Sequence, residues 1–431
     1  MNYNCVGVGV GPSNLSLASL LDSYRGLRPI FFEKKPTFGW HEGMMVDGAT
    51  LQVSLFKDLV TLADPTNRFS FLAYLHAEGK IYQFLNAQFD EIPRREYGNY
   101  LKWASARNDA ISFNEEVASI TFDGTFTVET SKRRVMAENI CVGVGTEAFV
   151  PDFAVSHLDE TQFHVSNFLH RIGNIRNKRV AVVGGGQSGA EAVLSLLNTG
   201  RGDEPAEVIW ISRRDNFLPI DDSPFTNDFF MPCHSDYFFA ADSGYRSRFI
   251  QRNVLASDGI SERTLRDIYQ RLYSLRFVDP GLPAVTLVPC RTVSGISREA
   301  GAWALAALHD GHSARETVRA DIVVWATGFR PSRTDFLNPI AGRMEREEGE
   351  FRLDDDFAVK WDGPKDRSVF MFNAARRQRG LADPNLSLIA WRSERVIDRI
   401  RGVASRARRQ HPSFVSWGPL GILAQTEVEA V

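Results

Sequence analysis

Two glycine-rich turns hold the residues of this chain best suited to chemistry. The first is Gly9-Val10-Gly11-Pro12-Ser13-Asn14, which follows the apolar run Cys5-Val6-Gly7-Val8. Leu17, Leu20, Leu21 and Tyr24 come next at i, i+3, i+4 and i+7, the spacing of one helix face. Strand, glycine turn and helix start together make a seat for a dinucleotide pyrophosphate. Gly9 permits the tight turn, Gly11 lets the backbone approach phosphate, and the helix N-terminus offers N–H donors and a positive dipole end. Asn14 stands where the third glycine of G-x-G-x-x-G is usual. Residues 28–33 read as a second strand ending in Glu33. That is about 20 residues past the loop, where a carboxylate accepts hydrogen bonds from ribose hydroxyls.

The second turn, Gly184-Gly185-Gly186-Gln187-Ser188-Gly189, is a complete G-x-G-x-x-G between the buried-strand run 178–183 and a helical run from Ala190. Its second strand, 207–211, ends in Ser212-Arg213-Arg214. A carboxylate there would repel a 2′-phosphate, whereas two guanidinium groups and a hydroxyl would bind one through charge-assisted hydrogen bonds. The first site therefore suits the adenosine half of FAD and the second suits NADPH. Two unlike nucleotide sites imply hydride passing between cofactors.

The elements that position these turns form an α/β chain with two Rossmann-like domains. A length of 431 residues exceeds one ordinary core. Residues 138–145 and 321–329 both read as strands returning to the first sheet, so the NADPH domain is expected to be inserted into the FAD domain. The expected boundaries are 1–169 for the first part of the FAD domain, 170–314 for the NADPH domain, and 315–431 for the FAD-domain return with C-terminal helices. Segments 262–277 and 385–401 read as helices. The stretch 220–245, rich in Phe, Pro, Asp and Tyr, reads as loops near a site, within a small substrate-contacting helical region over 220–277.

Composition narrows the function classes. Hydrophobic content of 43% with 24% charged residues is that of a soluble globular protein, and a net charge of −3 argues against a nucleic-acid surface. The basic clusters at 376–379 and 406–409 read as solvated faces. The first strand begins at once and no run of 18 apolar residues occurs, so a cytoplasmic, non-spanning protein is expected. The four cysteines (Cys5, Cys141, Cys233, Cys290) form no C-x-x-C, which excludes a dithiol redox pair of that spacing and gives no metal pattern. Most are expected to be buried as small hydrophobes.

Further stretches carry a resemblance: Trp40-His41-Glu42-Gly43-Met44, the run Gln52-Val53-Ser54-Leu55-Phe56-Lys57-Asp58-Leu59, Asp64-Pro65-Thr66, residues 69–75, and Gly380-Leu381-Ala382-Asp383-Pro384-Asn385-Leu386-Ser387. With the two turns, the chain resembles the class B flavin-dependent N-hydroxylating monooxygenases of siderophore biosynthesis, the lysine and ornithine N-hydroxylases. The resemblance implies that NADPH reduces FAD, that reduced flavin and O2 form a C4a-hydroperoxide, and that a neutral terminal amine takes its distal oxygen. NADP+ is then expected to stay bound and keep water from the intermediate. It also implies a homo-oligomer, a dimer or tetramer.

By the same resemblance Trp40, His41 and Gln52 lie against the flavin, and Lys57 pairs with a substrate carboxylate. Asn227 and Ser387 match other substrate-side positions. The apolar neighbours of Lys57 independently favour a partly buried ammonium that needs an anion, and Asp58 is the alternative partner. Ser257-Asp258-Gly259-Ile260 replaces the Asn-Tyr-Ser run of ornithine enzymes, which looks like the lysine and diamine branch and places Asp258 among the substrate-side residues. L-lysine, cadaverine and putrescine all remain open. The chemistry is flavin-borne, so no side-chain catalytic residue and no metal is expected. Two rivals are another class B monooxygenase, disfavoured because residues 163–167 lack the Phe-x-Gly-x-x-x-His glycine, and a non-catalytic flavin-binding redox sensor.

Overall fold

The structure, a computed structural model, describes residues 2–281, 283–404 and 413–418; the basic cluster at 406–409 lies outside the described residues. Strands β1 (Asn2–Val8), β2 (Pro29–Glu33), β3 (Ile111–Phe113), β4 (Val117–Asp123), β5 (Thr125–Thr130) and β6 (Arg134–Val142) form the first sheet in the order β3-β2-β1-β6-β5-β4. The β3-β2-β1-β6 part is parallel, and β4, β5 and β6 make an antiparallel meander.

The chain then leaves through β7 (Thr146–Ala148). A second sheet follows, built from β8 (Gln162–His164), β9 (Arg179–Val183), β10 (Glu207–Ile211) and β11 (Ala284–Val288). An antiparallel meander, β12 (Arg291–Glu299), β13 (Ala302–His309) and β14 (Ala314–Ala320), precedes β15 (Ile322–Trp325). The second sheet is wholly parallel, in the order β11-β10-β9-β15-β8. Its central strands read Val-Ala-Val-Val, Val-Ile-Trp-Ile and Ile-Val-Val-Trp and are buried throughout, as in a parallel sheet covered on both faces. The chain comes back through β16 (Phe329–Pro331), which pairs with β7, and β17 (Val369–Met371) adds a seventh strand to the first sheet beside β6.

Two expectations need correction. The strand at 322–325 does not return to the first sheet; it lies between β9 and β8, and β17 makes the return. The second sheet therefore runs from residue 162 to 325, past 170 and 315 at both ends. A short, fully apolar run marks a buried parallel strand but not its sheet. The stretch 220–245 is largely helical, not looped. Pro224 and Pro232 sit in the first turns of helices, where a missing N–H costs nothing, and Ser223 caps one of them through Thr226 N.

Seven helices matter for the site: α1 (Pro12–Leu21), α2 (Arg94–Ala106), α3 (Gln187–Leu197), α4 (Pro232–Ala240), α5 (Ser243–Arg252), α6 (Glu262–Tyr273) and α7 (Ile389–Arg401). Helix α7 packs on α1, and α6 packs on α3. The 376–379 cluster is only partly a solvated face. Arg379 is buried between the Phe239 and Phe357 rings and pairs with Asp236, which ties α4 to the returning chain. Of the cysteines, Cys5 and Cys141 are buried and touch across β1 and β6, while Cys233 and Cys290 are partly exposed. No described helix is long and apolar enough to cross a membrane.

Candidate functional site

The first glycine turn is shaped as a cradle. Gly9 takes a φ of 79°, and a Cβ there would meet Gly143 O at 2.9 Å, so only glycine fits. Gly11 is the N-cap of α1, and no side chain caps that helix. A Cβ on Gly11 would find a single neighbour, Gly143 O at 3.7 Å, so the space beside its backbone is open. Pro12 has no N–H and opens the helix, and buried Ser13 lies 3.4 Å from Asn373 Oδ1. Glu33 closes the turn from the end of β2, its carboxylate accepting from Val10 N at 2.8 Å and Lys35 N at 2.9 Å. This arrangement fits a bound dinucleotide pyrophosphate.

Asn14 points the other way. It is fully buried, and its Nδ2 donates to the Val8, Gly9 and Cys141 carbonyls. A Cβ on Gly143 would strike Asn14 Cγ at 2.5 Å, so the glycine ending β6 makes room for this knot. Asn14 thus fastens the turn from beneath through its Nδ2, while its buried Oδ1 has no hydrogen-bond partner among the described residues.

The second turn is built alike. Gly184 has a φ of 141°, and Gly186 caps α3 with no side-chain hydrogen bond. Gly189 lies against Gly184 O, where a Cβ would come to 2.3 Å, which is the close packing the third glycine allows. Ser212 is buried under Gly185 and accepts from Arg214 N. Ser188 sits half-exposed at the helix start. The side chain of Gln187 is committed elsewhere: it accepts from Ser261 N and donates to Glu191 and Thr264.

The two arginines divide. Arg214 is half-buried, with Nη1 donating to the Gly185 and Asp258 carbonyls, and desolvation lowers its pKa. It braces the turn. Arg213 is exposed and makes no hydrogen bond or ion pair among the described residues, so it is the one free to meet a phosphate. Asp258 lies with this turn, not with Lys57. Its carbonyl is 3.7 Å from a Cβ built on Gly186, and its carboxylate meets Ser257 and Arg376.

Between the turns lies the segment expected against the flavin. The Trp40 and His41 rings meet edge to face at 4.8 Å, and Trp40 lies 5.7 Å from the Tyr97 ring. His41 holds a φ of 50°, a left-handed conformation uncommon outside glycine. Gln52 is exposed on an irregular stretch. Tyr97, from α2, donates to Lys57 O at 3.3 Å and so joins Trp40 to Lys57.

The Lys57 ammonium is half-buried, 5.8 Å from the Phe230 ring centre, and desolvation lowers its pKa. It has no carboxylate partner among the described residues. Asp58 is spent: its carboxylate accepts from Val60 N, Thr61 N, Thr61 Oγ1 and Phe71 N. Asn227 stands one turn from Phe230, exposed, with its amide on Asp222 O, so the Lys57 and Asn227 segments meet. Ser387 is not part of that meeting. It is buried, with its hydroxyl on Asn385 Oδ1 at 2.6 Å. Its neighbours Asn385 and Asn373 are held by buried Arg392, which connects them to Ser13 of the first turn.

A family model described as L-lysine 6-monooxygenase/L-ornithine 5-monooxygenase matches residues 1–331. The chain belongs to this family. It is 35% identical over 417 residues to the L-lysine N6-monooxygenase of Escherichia coli, covering 96% of this chain and 97% of that protein. With the putrescine N-hydroxylase of Acinetobacter baumannii it shares 28% over 408 residues, covering 93% and 90%. Among solved structures, the FAD-bound cadaverine monooxygenase of desferrioxamine biosynthesis from Erwinia amylovora superposes with a TM-score of 0.90 at 26% identity, covering 97% of this chain and 100% of that one. The ornithine N-hydroxylase of Kutzneria sp. 744, solved with reduced FAD, NADP+ and L-ornithine, gives 0.86 at 30%, covering 93% and 99%. The family is one of flavin-dependent N-monooxygenases, so this chain is an enzyme of that type.

The sequence reading missed one feature of the site. Arg94, at the start of α2, forms a two-pronged ion pair with Glu191 of α3 at 2.7 and 2.6 Å, both side chains largely buried. The two residues are 97 apart and no local pattern links them.

Proposed function

We propose that this enzyme hydroxylates the terminal nitrogen of L-lysine, using FAD, NADPH and O2, as a step toward a hydroxamate siderophore. The observation that carries the substrate reading is Lys57, a half-buried ammonium whose neighbouring carboxylate is fully engaged elsewhere. A partly desolvated cation with no carboxylate partner among the described residues invites an anion from the ligand, and the α-carboxylate of lysine supplies it. Cadaverine or putrescine is the second reading, favoured by the 0.90 superposition on the cadaverine monooxygenase.

Each residue then has a physical task. The turn from Gly9 to Ser13, with Glu33, would hold the FAD pyrophosphate and ribose, while Asn14 keeps the turn in shape. The turn from Gly184 to Gly189 would hold NADPH, with Arg213 on its 2′-phosphate and Arg214 and Ser212 bracing the loop. Bound flavin, once reduced, supplies oxygen activation and oxygen transfer to the amine. Lys57 would fix the carboxylate end so that the side-chain amine faces the flavin. Trp40, Tyr97 and Phe230 would keep water from that space. No acid–base pair in the protein is required.

We propose a cytoplasmic location, where NADPH and free lysine are both available. A homo-oligomer, dimer or tetramer, is also proposed: helix Ile81–Ala87 has no buried residue and exposes Tyr82 and Leu85. The test is hydroxylamine formation and NADPH oxidation with lysine, ornithine, cadaverine and putrescine side by side. Lysine should give the highest kcat/KM with product matching NADPH consumed. FAD binding with no amine-dependent product would replace the enzyme by a redox sensor.

A further inference from the structure

The segment expected to flank the flavin does more than face the first sheet. Met44 and Val46 are buried in the same apolar cluster as Phe163, Val180, Val182 and Trp210 of the second sheet. A Cβ on Gly43 would strike Ser166 O at 2.1 Å, so the two parts of the molecule meet there with no room for a side chain. Arg94 fastens this contact. Its guanidinium donates to Met44 O at 3.2 Å and Thr50 O at 3.3 Å on one side, and grips Glu191 on the other. Glu191 lies one turn into α3, whose N-terminus carries the second glycine turn. Gln187, the first residue of that helix, donates to Glu191 and reaches Ser261 and Thr264 at the start of α6. Among the described residues, this pair is the ion pair that joins the flavin-side segment to the nicotinamide-side helix, beside the apolar contact of Met44 and Val46.

We propose that Arg94 and Glu191 are positioning residues for hydride transfer, a rigid strut that sets the nicotinamide turn at working distance from the flavin. This rests on the two-cofactor reading above. In the step concerned a C–H bond of the reduced nicotinamide breaks, its hydride forms a new bond on oxidised flavin, and NADPH becomes NADP+ with two electrons transferred. The strut touches none of these atoms; it fixes the separation across which they meet. A shift of about 1 Å at such a separation is enough to cost on the order of a hundredfold in rate.

The test uses Arg94→Met/Glu191→Met, which removes both charges together and leaves no buried ion without its partner. Anaerobic flavin reduction by saturating NADPH should slow by roughly tenfold or more. FAD content, reduction by dithionite and NADPH affinity should stay near wild type. On the same protein without added nucleotide, hydrogen exchange should rise in residues 42–51 and 187–197 and not in the first sheet. Reduction at the wild-type rate with unchanged exchange would overturn the proposal. Should the double variant not fold, Arg94→Lys decides. It keeps the charge and loses the two-pronged grip, so it should reduce slowly with FAD content intact, and a wild-type rate would again overturn the strut. A wild-type protein that NADPH does not reduce would instead defeat the two-cofactor reading, while the exchange result would still judge the strut.

Discussion

Replacing Lys57 with alanine separates an amino-acid substrate from a diamine. In the folded protein this ammonium is half-buried, near Phe230 and without a carboxylate partner among the described residues. Losing the charged partner of a desolvated carboxylate costs about 2–4 kcal/mol. Solvent still reaches Lys57, so screening places the expected loss near the lower end, about 2 kcal/mol or roughly thirtyfold in affinity. The contact with Phe230 is close to the outer limit of a cation–π interaction and contributes little. The assay is KM and coupling for lysine and cadaverine in wild type and Lys57→Ala, with anaerobic reduction by NADPH as the control. Lysine should lose about thirtyfold in KM, cadaverine should lose none, and reduction should be unchanged. Cadaverine, being cationic at both ends, could even bind better. Equal losses with both substrates would refute the carboxylate argument and give Lys57 a structural or flavin-side part. A pH signature accompanies this. Burial lowers the Lys57 pKa, so the cation that holds a carboxylate is present below that lowered pKa and is lost as pH rises through it. Binding of L-norleucine, which has the carboxylate and lacks the side-chain amine, should weaken toward alkaline pH in wild type, relative to Lys57→Ala.

Other expectations follow from the turns and their supports. Arg213→Ala should raise KM for NADPH by about tenfold and leave NADH nearly unchanged, whereas Arg214→Ala, by loosening Gly185, should weaken both nucleotides; equal effects of Arg213→Ala on the two would remove it from the 2′-phosphate. Gly11→Val should give a colourless, inactive protein, because the open space beside Gly11 is where the phosphates would lie; a yellow, active variant would displace the flavin from this turn. His164 is buried, with Nε2 donating to Gly328 O and Nδ1 accepting from Ser166 N, and burial holds its pKa down to about 4 from 6.5. The unfolded chain therefore binds the extra proton first. The stabilising effect is full above pH 6.5 and is lost as pH falls toward 4, by up to about 3 kcal/mol. His164→Gln should flatten that part of the stability curve, as read by denaturant unfolding from pH 7 to 4, and an unchanged slope would deny the buried neutral imidazole.

What the sequence determined by itself is local. Strand, glycine turn and helix lie within about 30 residues of chain, so both nucleotide seats, the acid ending β2 and the arginines ending β10 were legible without a structure. The specific runs around Trp40, Gln52 and Lys57 carried the family. Proximity between distant residues was decided only by the tertiary structure. A buried apolar run such as Ile322–Trp325 has no signal for which sheet accepts it, since pairing in register with β9 is a long-range choice. Whether Lys57 is paired depended on Asp58 turning to four donors in its own loop and on Phe71. Asn14 and Gln187 sit inside glycine motifs, yet the Asn14 Nδ2 serves backbone carbonyls and the Gln187 amide a neighbouring helix, contacts that only the folded chain brings together. The Arg94–Glu191 pair is the plainest case: two ordinary surface-type residues on separate amphipathic helices become one buried contact only when both sheets are folded and docked.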